Sequence, residues 1–271
     1  MTNWMTGVCK ANGIDIHYLR TGGVKPPLVL LHGLTANGAC WTSLARAFEG
    51  EYDVVMPDAR GHGNSTAQLH GYRYENHAND VIELIRGLGL AAPILLGHSM
   101  GGMTAAVVAS QADRIIRGVV LADPTFLSPQ RQRKVCDSDV AEQHRQILRL
   151  NKCDVLAQAQ LRHAHRSPEM VELLVSVRLQ TRWSAFGVLT PPNPDYHQLV
   201  NSIDVLTLLV IGDAGAVVSL ETARELQSLN SQIRVEQLRD AGHGVPHDQP
   251  ELFEGVVRSF LSSVVTSPLF V

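Results

Sequence analysis

Short apolar runs alternate along the chain with longer segments whose apolar residues recur every three to four positions. Leu28–Leu31, Asp53–Met56, Ile94–Leu96 and Gly118–Ala122 are expected to be strands, the second ended by Pro57. Runs this continuously apolar belong to strands covered on both faces. Between them, Trp41–Phe48 predicts a helix. Asn76–Leu88 predicts another, with apolar residues at Val81, Ile82, Leu84, Ile85 and Leu88. Met100–Ser110 is small or apolar nearly all round, which predicts a buried helix. Strand and helix in alternation imply an α/β fold built on a parallel sheet.

The rhythm breaks after Asp123-Pro124. No convincing strand appears from Phe126 to His197, where helical stretches take over. One of them opens on Ser167-Pro168-Glu169, a cap, a first-turn proline and a first-turn acid. Met170, Leu173, Leu174 and Val177 then share a face. The same stretch holds Arg162-His163-Ala164-His165-Arg166. Alternation resumes with Leu206–Ile211 and Ile233–Leu238 as strands, and Leu220–Leu229 and Gln249–Val265 as helices. Asp248 and Glu251 are spaced as a capping box for the last of these. The expected organisation is a core of residues 1–125 and 198–271 carrying a helical insert at 126–197. No repeat or low-complexity tract is evident.

Composition narrows the function classes. Of 271 residues 45% are hydrophobic, which excludes global disorder. Charged residues are 18% with a net charge of -3 and no basic run, so nucleic acid is not an expected partner. The apolar runs are too short for a bilayer span. The opening MTNWMTGVCKANG lacks the charged start and apolar stretch of a secretory signal. Cys9, Cys40, Cys136 and Cys153 form no CxxC pair and are expected to be reduced, mostly structural thiols. A cytoplasmic protein, monomeric or homodimeric and free of membrane, is expected. The glycine-rich segments fit neither a dinucleotide fingerprint nor a phosphate loop, and no metal constellation appears. Neither cofactor nor metal is expected.

The sharpest chemical signal is Gly97-His98-Ser99-Met100-Gly101, a G-x-S-x-G between a predicted strand and a predicted helix. A serine hydroxyl attacks only when a base takes its proton, and a sharp turn between glycines carries the oxygen clear of the backbone. Met100 opens the helix, and its N–H can face a reacting oxygen. His32-Gly33-Leu34 follows the first predicted strand and offers the Leu34 N–H as a second donor for a developing oxyanion. His32 itself is expected to hold its loop. The base should come late, and among 12 histidines His243 in Asp240-Ala241-Gly242-His243-Gly244 follows the last predicted strand, between glycines. His98 should point away from Ser99, and His62 belongs to a glycine-rich turn. His144, His163 and His165 are expected on solvated helix faces, and His247 lies on the approach to a capped helix. The orienting acid has two candidates. Asp213 follows Leu206–Ile211 and is preferred; Asp123, at the end of the fourth predicted strand, is the rival.

Together these motifs resemble the α/β-hydrolase superfamily from about residue 14 to residue 262. The resemblance implies a mostly parallel eight-stranded sheet with helices on both faces and a helical cap after the sixth strand. It also implies Ser99 as nucleophile, His243 as base, and Leu34 and Met100 as oxyanion donors. Asp58-Ala59-Arg60-Gly61-His62-Gly63-Asn64-Ser65 matches the superfamily's D-x-R-G-x-G-x-S turn, a structural element. Many members place the acid three residues after the glycine ending strand seven, which here is Gly215. Others place it immediately after that glycine, which matches Asp213. Serine at the elbow, where some members carry aspartate, argues against haloalkane dehalogenase and epoxide hydrolase chemistry.

The expected activity is that of a serine carboxylesterase acting on a small or medium ester, with water as the second substrate. Hydrolysis of a lactone, an amide or a carbon–carbon bond on the same triad is the alternative, since cap and pocket decide between them. A noncatalytic small-molecule receptor on the same fold is a third. Phe126, Trp183 and Phe186, near the joins between insert and core, are the expected pocket aromatics.

Overall fold

The computed structural model describes residues 4–111, 115–164 and 166–265, so His165 lies outside the described residues. Eight strands form one sheet in the order β1-β2-β4-β3-β5-β6-β7-β8. In chain order they are β1 (Met5–Ala11), β2 (Ile14–Arg20), β3 (Pro27–Leu31), β4 (Asp53–Pro57), β5 (Ile94–His98), β6 (Gly118–Ala122), β7 (Leu206–Gly212) and β8 (Ile233–Leu238). β1 and β2 are antiparallel, β2 runs antiparallel to β4, and every other pairing is parallel. Every residue of β3, β4 and β6 is buried, which is why these strands stand out in the sequence as unbroken apolar runs.

The sequence expectation missed β1 and β2. They form a hairpin in which Ala11 faces Ile14 across Asn12-Gly13, both with positive φ (49° and 76°). An Asn-Gly pair with both φ values positive is the preferred two-residue hairpin turn, because its twist matches that of the strands. The Asn-Gly dipeptide was therefore the available signal. The flanking strands are only half buried and lack a strong apolar run.

Helices cover both faces. α1 (Thr42–Phe48), α2 (Tyr74–Gly87) and α3 (Met100–Ala109) follow strands β3, β4 and β5. All ten residues of α3 are buried. Alternate strand residues feed two separate cores: Val29, Leu95, Val119 and Leu209 pack with α2 and α3, while Leu28, Leu30, Leu96 and Leu208 pack with Trp41 and Phe48. Each such buried side chain contributes about 1.5–3 kcal/mol.

Between β6 and β7 the described residues hold helices and no strand. These are α4 (Pro129–Cys136), α5 (Val140–Ile147), α6 (Lys152–Arg162), α7 (Pro168–Arg178), a 3-10 segment Trp183–Leu189, and α8 (Tyr196–Ser202). α7 opens as the sequence implied, the Ser167 hydroxyl accepting from the Met170 N–H at 3.2 Å with Pro168 in its first turn. α8 packs against α3 and against α9 (Leu220–Leu229). The last described helices are α10 (Val245–Asp248) and α11 (Pro250–Val265). Asp248 thus closes a short helix of its own, and its carboxylate accepts from Arg166 and from the Gly242 N–H. None of the helices is long and apolar enough to cross a membrane among the described residues.

Candidate active site

The carboxyl ends of β3, β5, β6 and β8 bring four loops together, the usual ligand-binding edge of an open parallel sheet. At the end of β5, Ser99 adopts φ 55°, ψ -117°, a left-handed conformation that a serine enters only under constraint. Glycines on either side make the turn feasible. A Cβ on Gly97 would collide with the Gly101 carbonyl, and one on Gly101 would collide with the Leu31 carbonyl. The result is the expected elbow, with strand before and helix after.

His243, in the loop after β8, places Nε2 2.9 Å from Ser99 Oγ. Its Nδ1 lies 2.6 Å from Asp123 Oδ2. An ionised carboxylate can only accept, so Nδ1 carries the proton and Nε2 is left to accept from the serine hydroxyl. Asp123 is fully buried at the end of β6 and has φ 39°. Its two oxygens also accept the N–H groups of Val217 and Val218 at 2.8 and 2.9 Å.

Asp213 does not reach this chain of contacts, which corrects the expectation that it is the orienting acid. It is exposed, and its carboxylate accepts from the Ala241 N–H at 3.3 Å. The reason is local. After Gly212 the loop is drawn against the segment following β8, with the Ala214 N–H donating to the Ala241 carbonyl. It then turns back to present Val217 and Val218 to Asp123. The loop expected to supply the acid instead supplies two amides that donate to Asp123.

Two neighbouring histidines are structural. His98 Nε2 donates to the His243 carbonyl at 2.7 Å, and the two ring centres lie 5.0 Å apart. Burial, followed by the nearby His243 and His247 rings, pushes His98 well below the usual histidine range and keeps it neutral. Sequence reasoning had turned His98 away from Ser99 without giving it this supporting contact. His32 donates from Nδ1 to the Gly33 carbonyl and accepts the Ala59 N–H at Nε2, pinning the loop after β3. Burial lowers it to about 4. Leu34, two residues on, lines the same cavity as Ser99 and His243. Met100 is the first residue of α3, where a backbone N–H has no acceptor within the helix.

The cavity above Ser99 has a volume of about 720 Å³. Ile147, Val155, Ala159, Val171, Leu174 and Val175 from α5, α6 and α7 supply its apolar wall, and Arg162, Arg166 and Arg178 also face it. The three expected pocket aromatics do not line it. Phe126 is buried and stacks on Tyr196 at 5.2 Å. Phe186 is buried and stacks on His144 at 4.8 Å. Trp183 is 48% exposed beneath the Arg145 guanidinium. Their position near the joins made these three the pocket candidates, but stacking partners claim two of them and solvent the third. His144 is buried too, not on a solvated face.

A sequence model of the alpha/beta hydrolase fold matches residues 26–250. The chain belongs to that family. Epoxide hydrolase 3 of Xenopus tropicalis is 29% identical over 93% of this chain and 76% of its own length. N-formylmaleamate deformylase of Pseudomonas putida is 27% identical over 94% of this chain and 96% of its own. The crystal structure of E-2-(acetamidomethylene)succinate hydrolase superposes with a TM-score of 0.85 at 21% identity, covering 96% of this chain and all of that one. Membership of the alpha/beta hydrolase family supports hydrolase activity, and these relatives differ in the bond they act on.

Proposed function

We propose that this alpha/beta hydrolase is a serine hydrolase that cleaves a small or medium carboxylic ester through an acyl-enzyme. The observation that carries the reading is the continuous hydrogen-bonded chain from Ser99 through His243 to the buried Asp123. In this reading His243 takes the Ser99 proton as the oxygen attacks the ester carbonyl. The N–H groups of Leu34 and Met100 receive the charge that builds on the carbonyl oxygen. His243 then delivers the proton to the departing alkoxide, and repeats the cycle with water to release the acid. Asp123 fixes the tautomer and stabilises the imidazolium. The helices of residues 126–197 act as a cap that walls the acyl site. Acylation of a serine requires an acyl carbonyl, which an epoxide lacks, so the epoxide hydrolase relative is a poor guide to the bond cleaved.

A second reading has a specific observation behind it. The deformylase relative matches nearly end to end, which favours hydrolysis of an amide carbon–nitrogen bond on the same residues. A turnover screen of p-nitrophenyl esters of increasing acyl length, run beside lactones and anilides, separates the two. Ester turnover with fluorophosphonate labelling of Ser99 is the expected result. Turnover of anilides or lactones alone removes the carboxylesterase assignment, and absence of both turnover and labelling removes the serine hydrolase.

A further inference from the structure

Three arginines face the Ser99 cavity, and among the described residues only Arg166 is matched by a protein carboxylate. Arg166, between α6 and α7, donates to Asp248 at 3.0 and 2.6 Å. Arg162 and Arg178, in the last turns of α6 and α7, make no ion pair among the described residues. Arg178 is half-buried, and its Nε is buried without a hydrogen-bond partner among the described residues. Burial first, and the charge of Arg162 second, lower its proton affinity, so the two guanidiniums feel each other. Burial first, and Arg178 to a lesser degree, hold His144 below the usual histidine range, so that neighbouring ring stays neutral. The cavity has two acids. Asp248 is committed to Arg166, and Asp240 is exposed in the loop leading to His243. Holding a half-buried cation with an unused donor beside a second cation is costly unless an anion completes the arrangement.

We infer that Arg162 and Arg178 form a carboxylate-binding subsite, so that the substrate carries a free carboxylate on the part lying between α6 and α7. A guanidinium presents a planar fork matched to the two oxygens of a carboxylate, and a partly desolvated apolar wall strengthens that contact. The place of the scissile bond rests on the acyl-enzyme reading of Ser99; the anion site does not.

Two measurements test it separately. In the first, turnover of the mono-p-nitrophenyl ester of glutaric acid is compared with that of its methyl ester, which has the same leaving group and chain but no charge. The acid is expected to be preferred in kcat/KM by about tenfold or more. Added salt should reduce the preference. The Arg162→Gln/Arg178→Gln double variant should bring it near unity, with Arg178→Lys retaining part of it. Equal or better use of the methyl ester by the unaltered protein overturns the subsite and leaves the serine hydrolase standing. In the second, glutarate is titrated calorimetrically into the Ser99→Ala protein, which needs no turnover. Binding that is lost in Arg162→Gln, an exposed position that should not disturb folding, supports the subsite even if neither ester is cleaved. No binding at millimolar glutarate, or tighter binding of inorganic phosphate than of glutarate, overturns it.

Discussion

In the proposed mechanism Asp123 holds an imidazolium in one orientation, and the Val217 and Val218 amides anchor its carboxylate. Asp123→Asn is therefore expected to lower kcat by about 10⁴, because an amide neither fixes the histidine tautomer nor stabilises its positive form. Asp213→Asn, altering an exposed side chain on a backbone amide, should leave kcat within a few-fold of its starting value. Esterase assays on the two purified variants decide, and the opposite ranking returns the acid to Asp213. Ser99→Ala should remove on the order of 10⁴ to 10⁶ of the rate, with the fold intact. The contact between Ser99 and His243 was legible in the sequence because glycines on both sides mark where each side chain must project. The acid was not, because aspartates follow both β6 and β7 and each could be a turn residue. What separates them is the path of the loop after Gly212, set by its contacts with Ala241 and invisible to local pattern.

At the scale of elements, α6 and α7 do more than cover the sheet. Val171, Leu174, Val175 and Arg178 recur at the spacing of one helix face and turn it toward the cavity. The sequence had grouped Leu174 with Met170, Leu173 and Val177, because α7 is apolar over more than one stripe and periodicity cannot say which stripe meets the substrate. The parallel strands were legible as unbroken apolar runs, whereas the β1–β2 hairpin, half exposed at the sheet edge, left only its Asn-Gly turn as a mark. The element picture predicts that wall and packing residues separate experimentally. Leu174 is half-buried at the cavity, so Leu174→Ala should shift the preferred acyl length by weakening contact with longer chains, at about 0.8 kcal/mol per CH₂. Phe126 is buried against Tyr196 away from the cavity, so Phe126→Ala should cost about 3–5 kcal/mol of stability and slow all esters alike. Kinetics over an acyl series with parallel thermal melts would show the contrast. A change in length preference for Phe126→Ala, with none for Leu174→Ala, would mean the wall has been assigned to the wrong residues.

Across the whole molecule, the fold buries or half-buries several imidazoles, and this ties its stability to pH. Burial lowers His32 to about 4, His62 to about 3 and His247 to about 4. Buried His77, and His98 half-buried at the cavity, lie well below the usual range. Among the described residues His62 Nε2 and His77 Nε2 have no hydrogen-bond partner, so neither ring is prepared to hold a second proton. Arg60, paired with Asp80 beside them, adds positive charge that lowers His77 further. An unfolded chain takes up these protons near pH 6.5 and the folded chain does not. The stability these groups contribute is therefore complete above about pH 6.5 and is lost as pH falls toward the lowered values. Each such group is worth about 1.4 kcal/mol per pH unit in that window, against a net stability of about 5–15 kcal/mol for a typical domain. Asp80, whose carboxyl burial raises, works in the opposite direction but is a single group. The urea midpoint should accordingly be flat from pH 7.5 to 7 and fall steeply between pH 6.5 and 5, before carboxylate protonation dominates. Replacing one buried ring, as in His62→Gln, should remove about one proton from the slope whatever it does to the midpoint at pH 7.5. A midpoint unchanged between pH 7 and pH 5 would show that the imidazoles protonate in place, with solvent reaching the His32, His62 and His77 rings that the packing buries.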